Sequence, residues 1–431
     1  MDTTYDRKVL TSVDLFAGAG GLTEGLREAG VVSLLGSDNW APAVSTFRRN
    51  HLDVEMLDED AQDLRPSDLI RDRVPDLLVG GPPCQGFSSA GSRGGDRDPR
   101  NSLVGVFALL AASIRPRFVI FENVEGFLTA GDGRFVENLL DPLIEAGYWI
   151  SVEKLNVANF GVPQLRKRVI VMASLHADPE GMVPTHHAWS SPGAHKATEG
   201  KDLPVTPSVE LALAGLGDVR ESASTFPTEH VNGKISDLDK RRIRALLPGQ
   251  TMRDLPPELH HESYARRANR RVADGMPTEK RGGAPAGLRR LVGSEPSRAI
   301  TSAGPREFIH PLFDRPLTLR ECARLQTFPD SYEFVGSSQE KRVLVGNAVP
   351  PLFAYALAIH ASKHLVQYGE QAPVAPSGCL VRFSVTNATT MSPALKKVKD
   401  RVLSRYPSSS QGRFTRSSCA SEPGSRSFQM T

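Results

Sequence analysis

The sequence predicts an α/β fold in which a mostly parallel sheet carries a second, smaller, loop-rich domain. Three observations predict it. Between residues 8 and 170 short apolar runs alternate with amphipathic stretches, the pattern of strands joined by helices. From about Ala173 to about Pro296 that order gives way to a stretch rich in Pro, Gly, His and Arg with few apolar runs. The composition, 39% hydrophobic and 23% charged over 431 residues, is that of an ordinary globular chain with room for one large core and one satellite.

Taken in order, the runs 9–15, 31–36, 76–80, 117–121 and 168–173 read as buried strands, and Leu103–Ile114 as an amphipathic helix. Residues 320–328 read as a short helix stopped by Pro329, and Pro351–Tyr368 as a long amphipathic helix closing the sheet domain. Beyond Gly369 the chain is rich in Ser, Arg and Pro without a period, which predicts a structureless basic tail over 370–431. The expected divisions are thus 8–170 for the first part of the sheet domain, 171–333 for the loop-rich domain and 334–369 for the closing helical region. No run approaches the roughly 18 apolar residues of a membrane helix, and the N-terminus lacks the apolar centre of a signal peptide, so a cytoplasmic location is expected. Cys84, Cys322, Cys379 and Cys419 form no CxxC pair, which argues against a zinc site and a disulfide framework. No metal is expected.

The net charge of +3 conceals an uneven distribution. Residues 234–290 hold 14 Lys and Arg against 7 Asp and Glu, and residues 370–431 hold 9 against 3. The first block contains Lys240-Arg241-Arg242, Arg266-Arg267, Arg270-Arg271 and Arg289-Arg290, a spacing suited to phosphate contacts, although a solvated helix face reads the same way.

Three motifs carry chemistry. The first, from Asp14 to Leu26, runs an apolar strand into a glycine-rich turn and a helix. Such a turn lets backbone N–H groups approach a dinucleotide or an adenosyl methyl donor, or is merely tight. The strand ending at Asp38 puts a carboxylate about 20 residues on, where a ribose hydroxyl pair would bind, and together they indicate an adenosine-bearing cofactor. The second motif, Asp76 to Ser89, delivers Cys84 into a loop stiffened by Pro82 and Pro83 at the edge where open α/β sheets place ligands. A free cysteine usually just packs, but packing does not require Gly-Gly-Pro-Pro before the thiol, whereas positioning a nucleophile does. The third puts Glu122 at the end of a buried strand, where an acid is either functional or only a helix cap.

With these residues in place, the chain resembles the DNA (cytosine-5)-methyltransferases of bacterial restriction-modification type over most of residues 12–369. The blocks that carry the resemblance are DLFAGAGG (14–21), GGPPCQGFS (80–88), ENV (122–124), GVPQLRKR (161–168), RPLTLRECARLQTFP (315–329) and VGNAVPP (345–351), in the family's order. They bracket a variable stretch where this family keeps its target-recognition region. The resemblance implies a Rossmann-like S-adenosylmethionine-dependent methyltransferase sheet with a smaller target-recognition domain. It implies that the Cys84 thiolate adds to cytosine C6 and makes C5 nucleophilic, that Glu122 meets the N3 and amine edge of the base, and that Arg166 and Arg168 hold the base carbonyl and organise the catalytic carboxylate and cysteine. For the methyl donor it implies Phe16, Ala17, Gly18, Gly20, Leu22, Asp38 as the ribose carboxylate, Asp60 at the adenine, and Pro82, Leu103, Asn347 and Val349.

The implied partner is double-stranded DNA with the target base flipped out. Gly95, Asp96 and Arg97 would form the loop closing over it, and arginine pairs in the recognition region would bind phosphates. The implied setting is the modification arm of a restriction or anti-phage system, paired with an endonuclease or defence complex, with a monomeric enzyme; because the first block starts at Asp14, no N-terminal regulatory domain is expected. Two other readings stay open: a tRNA cytosine-5 methyltransferase of the same family, and a catalytically silent DNA-binding relative, against which the joint presence of Cys84, Glu122 and Arg166 argues.

Overall fold

The computed structural model describes residues 9–83, 102–128, 130–191, 194–196, 203–261, 287–369, 381–385 and 393–405. Its centre is one eight-stranded sheet. The strands are β1 (Thr11–Leu15), β2 (Val32–Asp38), β3 (Glu55–Asp58), β4 (Leu77–Gly80), β5 (Phe118–Asn123), β6 (Trp149–Asn156), β7 (Lys167–Ser174) and β8 (Val381–Val385). In space they run β8-β6-β7-β5-β4-β1-β2-β3. Every neighbouring pair is parallel except those of β7, which is antiparallel to β5 and β6. Strands β4 and β5 are apolar on both faces because helices cover both sides, so they appear in the sequence as continuous apolar runs.

The longer helices are α1 (Gly21–Glu28), α2 (Ala41–Asn50), α3 (Ser102–Ile114), α4 (Arg134–Glu145), α5 (Asp237–Ala245), α6 (Leu319–Leu325), α7 (Ser338–Asn347), α8 (Pro351–Tyr368) and α9 (Pro393–Arg405), beside the short helices Val209–Leu213 and Gly304–Glu307. One face of the sheet buries Phe107, Phe121, Phe127 and Leu139 with α3 and α4; the other buries Leu26, Phe118, Phe353 and Leu357 with α1 and α8. By length and composition the helical span Ser338–Tyr368, which joins α7 and α8, could cross a membrane, yet Phe353, Ala354, Leu357, Ala358, Ala361 and Leu365 are all buried in this core. Its crossing with α1 is close. A Cβ at Gly21 would overlap the Val349 carbonyl oxygen, and one at Gly25 the Pro351 carbonyl oxygen, so only glycine permits the two backbones to meet. At the opposite end of the strands Asp76 accepts from the Thr11 N–H and hydroxyl and from Arg117, stapling β1, β4 and β5 together.

Two strands have weak sequence signatures. Strand β3 is short, and β6 carries Glu153 and Lys154 inside the protein, where Glu153 accepts from the Met182 N–H and Lys154 pairs with Glu125. Those charges break the apolar run that a buried strand usually displays.

The loop-rich region has its own small core of Ile243, Leu246, Met252, Leu255 and Leu259 with Ile309. Its limits differ from those expected. Strand β7 continues through Ser174 in the main sheet, so a division at 170/171 falls inside a strand. Leu319, Ala323, Leu325, Phe328 and Tyr332 pack with Ala19 and Ala43, which ties 319–333 to the flank of the sheet domain. The expectation of a structureless tail is corrected for 381–385 and 393–405, while the rest of 370–431 lies outside the described residues: β8 pairs in parallel with β6 along the sheet edge, and α9 lies on α4 with Val398 and Val402 in the main core. Arg401–Glu137 and Arg405–Asp141 ion pairs flank that contact. The helix does carry a period, since Leu395, Val398, Val402 and Leu403 recur at helical spacing among the Lys and Arg residues.

Candidate active site

The turn from β1 to α1 is built from left-handed residues, Phe16 at φ 58°, Gly18 at 57° and Gly20 at 83°, the last of which caps α1. Asp38, ending the neighbouring strand β2, holds this turn: one carboxylate oxygen accepts from Gly18 N–H at 2.9 Å and the other from Trp40 N–H at 2.9 Å. Burial pushes the Asp38 carboxyl up, and the N–H donors of Trp40, Gly18 and Asn39 pull it back. Asn39 donates its side-chain amide to Asp60 at 2.9 Å while its backbone N–H faces Asp38, so one residue links the two candidate donor-binding carboxylates. Leu22 and Val349 lie in the sheet core, Phe16 is half-buried against it, and Ala17 packs with Val44 and Phe47. Leu103 lies in the first turn of α3.

Behind the turn stands a group that sequence reasoning missed. The Tyr332 hydroxyl donates to the Ala19 carbonyl and lies 3.0 Å from His51 Nε2. A Cβ at Gly20 would fall 2.6 Å from that His51 nitrogen. Burial lowers His51 to about 4, so it stays neutral, with Nε2 as the donor to Tyr332. Tyr332 follows the TFP block by only a few residues, the one signal available in the sequence. Asp14, wholly buried beneath the turn, accepts from the Thr23 hydroxyl at 2.8 Å and has one oxygen without a partner; burial raises its carboxyl to about 7.

A second group gathers at the C-terminal ends of β4 and β5, where parallel sheets place ligands. Glu122 is 8% exposed, and Arg168 Nε from β7 lies 2.7 Å from its Oε1. A Cβ at Gly81 would stand 3.2 Å from Glu122 Oε2, so the segment that follows β4 passes directly against the carboxylate. Asn123 donates to the Pro82 carbonyl at 3.4 Å, tying that segment to β5. Cys84, two residues beyond Pro82, lies outside the described residues, as do Gly95, Asp96 and Arg97.

Arg166 does something different from Arg168. It is 1% exposed, and its guanidinium donates to the carbonyls of Ile300 (2.7 Å), Gly346 (3.0 Å) and Ala348 (3.2 Å), with Asn347 at 3.4 Å. It thereby fixes the backbone of the 345–351 block, to which Asn347 and Val349 belong, against β7. Gln164 adds bonds to Leu325, Gln326 and Ile300. Structure thus brings Glu122 and Arg168 together and sets Arg166 behind them as a backbone clamp.

The arginine pairs expected at phosphates are partly internal. Arg242 is buried, bonded to the carbonyls of Leu259 and His260, and Arg290 is buried, bonded to those of Leu246, Ile243, His310 and Phe313. Arg241 is exposed and Arg289 half-exposed, and Arg266, Arg267, Arg270 and Arg271 lie outside the described residues. Cys322 is fully buried and its thiol is pushed well up by that burial, which makes it an inert core residue. Among the described residues no His, Cys, Asp and Glu cluster could hold a metal ion.

Residues 10–363 match the model of the C-5 cytosine-specific DNA methylases. The chain is 32% identical over 366 residues to type II methyltransferase M.Eco47II of Escherichia coli, covering 83% of this chain and 79% of that one. It is also 32% identical over 370 residues to type II methyltransferase M.DdeI of Desulfomicrobium norvegicum, covering 80% and 87%. The fold matches a structure described as that of a DNA modification methyltransferase encoded within an E. coli prophage, with TM-score 0.62 and 21% identity over 83% of this chain and 99% of that one.

Proposed function

Because the chain belongs to the C-5 cytosine-specific DNA methylase family, we propose that it methylates carbon 5 of a flipped-out cytosine in a specific double-stranded DNA sequence, with Cys84 as nucleophile and Glu122 as its partner on the base. The observation that supports this most is the Glu122–Arg168 pair lying against Gly81, because it puts a buried, charge-balanced carboxylate beside the segment that leads into Cys84.

The residues fit S-adenosylmethionine: a left-handed glycine turn, Asp38 at its mouth and Asp60 linked to it through Asn39. When bound there, the donor supplies a methyl group on a sulfonium centre. Phe16, Ala17, Gly18, Gly20, Leu22, Asp38, Asp60, Pro82, Leu103, Asn347 and Val349 form its pocket in this reading.

The protein's own part is to make cytosine reactive. Cys84, as thiolate, adds to C6, and the electron pair moves into the ring, so that C5 becomes the nucleophile. Glu122, held by Arg168, hydrogen-bonds at N3 and the amine as charge builds there. In this reading Arg168 also holds the base carbonyl, whereas Arg166 positions the strand that carries Arg168. Loss of the C5 proton then expels Cys84.

The biological setting in this reading is cytoplasmic modification of DNA by a monomer, paired with a restriction endonuclease or defence complex, in keeping with relatives that are type II methyltransferases. Incubation with radiolabelled donor and separate duplex DNA and tRNA pools tests it. Label recovered as 5-methylcytosine in DNA at a single sequence is expected. Label confined to tRNA, or at another atom of the base, overturns it.

A further inference from the structure

Beside the short helix Gly304–Glu307 and the start of α7 lies a groove of about 910 Å³. Lys234, Arg306 and Arg342 line it, together with the acids Glu229, Asp239 and Glu307. The acids are occupied: Lys341 holds Glu229 at 2.6 Å, Arg242 holds Asp239 at 2.8 Å, and Glu307 is engaged as well. Among the described residues no carboxylate lies within salt-bridge distance of Lys234, Arg306 or Arg342. Burial lowers the Arg342 guanidinium, and the nearby charge of Arg306 lowers it further, so the two cations feel each other without an intervening anion. Arg306 is exposed and Arg342 half-buried.

This groove adjoins the candidate active site through backbone. A Cβ at Gly346, in the last turn of α7, would overlap Ser302 N, so the 301–307 segment rests on the end of α7. Arg166, just before the strand that presents Arg168 to Glu122, grips Ile300 and Gly346. Two uncompensated guanidinium groups at such a place need an anion, and a DNA methyltransferase brings one in its substrate.

Resting on the reading above, we propose that Arg306 and Arg342, with Lys234 at the rim, bind phosphates of the duplex backbone and set its register against the active site. These contacts are sequence-independent; base reading lies elsewhere in the recognition region. The phosphate role that the sequence assigned to Arg242 and Arg290 thus passes to cations outside those pairs.

The test uses the full chain and a duplex of arbitrary sequence, with affinity measured across a salt series. Each phosphate contact contributes roughly 0.9 to the slope of log affinity against log salt. The double variant Arg306→Gln, Arg342→Gln should therefore lose roughly 1.8 from the slope and bind up to roughly 60-fold more weakly at about 0.1 M salt. Binding of labelled donor should not change. The charge-preserving double variant Arg306→Lys, Arg342→Lys should keep the parental slope. An unchanged slope in the Gln pair overturns the assignment, as does loss of slope in the Lys pair, which decides the matter even if the Gln pair misfolds and loses donor binding. The parent's activity on DNA and tRNA, measured separately, reports on the functional reading itself: a parent that methylates DNA while the Gln pair keeps its slope refutes only the groove.

Discussion

Glu122 and Arg168 stand 2.7 Å apart on neighbouring antiparallel strands, and that pairing makes the consequences of single substitutions specific. Glu122→Gln keeps the shape but removes the charge and the proton-transfer capacity, so methyl transfer should slow by roughly 10²-fold or more while the KM for donor stays near the parental value. A steady-state KM and kcat measurement checks this; a proportional rise in donor KM would place Glu122 in the wrong pocket. The sequence made Glu122 and Arg168 visible because each sits in a short block with local meaning. It did not reveal what Arg166 does, since the carbonyls it clamps lie 134 to 182 residues further along the chain. The Tyr332–His51–Ala19 contact was hidden for the same reason, joining residues 281 and 313 apart. Charge doubling in the sequence was misleading for Arg242 and Arg290, because a guanidinium with five donors can satisfy carbonyls in a helix-poor region as readily as phosphates.

Among elements, the tail and the α1–α8 crossing make the clearest predictions. Val381, Val398 and Val402 are buried, and removing an apolar side chain of this size from a core costs about 1.5–3 kcal/mol. Truncation after residue 369 should therefore lower the Tm, and Val402→Ala alone should destabilise by about 2 kcal/mol in a denaturant titration. A truncated protein melting at the parental temperature would show that β8 and α9 contribute nothing to the sheet domain. At the crossing, Gly25→Ala presses a methyl group against the Pro351 carbonyl and the Ala354 methyl, neither of which can rotate away, so it should destabilise by about 3 kcal/mol. A Tm unchanged by that substitution would mean that the helices separate at little expense. Strands with continuous apolar runs were legible in the sequence; β6 was not, because buried Glu153 and Lys154 break its run, whereas α9 was overlooked although Leu395, Val398, Val402 and Leu403 fall on one helical face.

For the molecule as a whole, buried histidines set the response to acid. Burial lowers His51, His310 and His364 to about 4, below the ordinary value of about 6.5. The unfolded chain therefore binds more protons than the folded one between these values, so stability is full above pH 6.5 and falls as pH drops toward 4. Asp14, raised by burial to about 7, acts in the opposite direction over its own range, because its proton is retained in the fold and is lost more readily in the unfolded chain. Three groups outweigh one. The Tm should be lower at pH 5 than at pH 7.5, and Asp14→Asn should deepen that contrast by removing the opposing contribution. Calorimetry at the two values, with a flat profile as the contrary result, decides it.

The central claim is that Cys84 attacks cytosine C6 beside Glu122, and a mechanism-based trap tests it most directly. A duplex carrying 5-fluorocytosine at the methylated position is incubated with donor, since fluorine cannot leave as the C5 proton does. The digested complex is then mapped by mass spectrometry. A denaturation-resistant adduct linked at Cys84 and carrying the transferred methyl group is the predicted result, absent in Cys84→Ser. Methylation of the ordinary duplex with no adduct on the fluorinated one, or an adduct at any other residue, would contradict it.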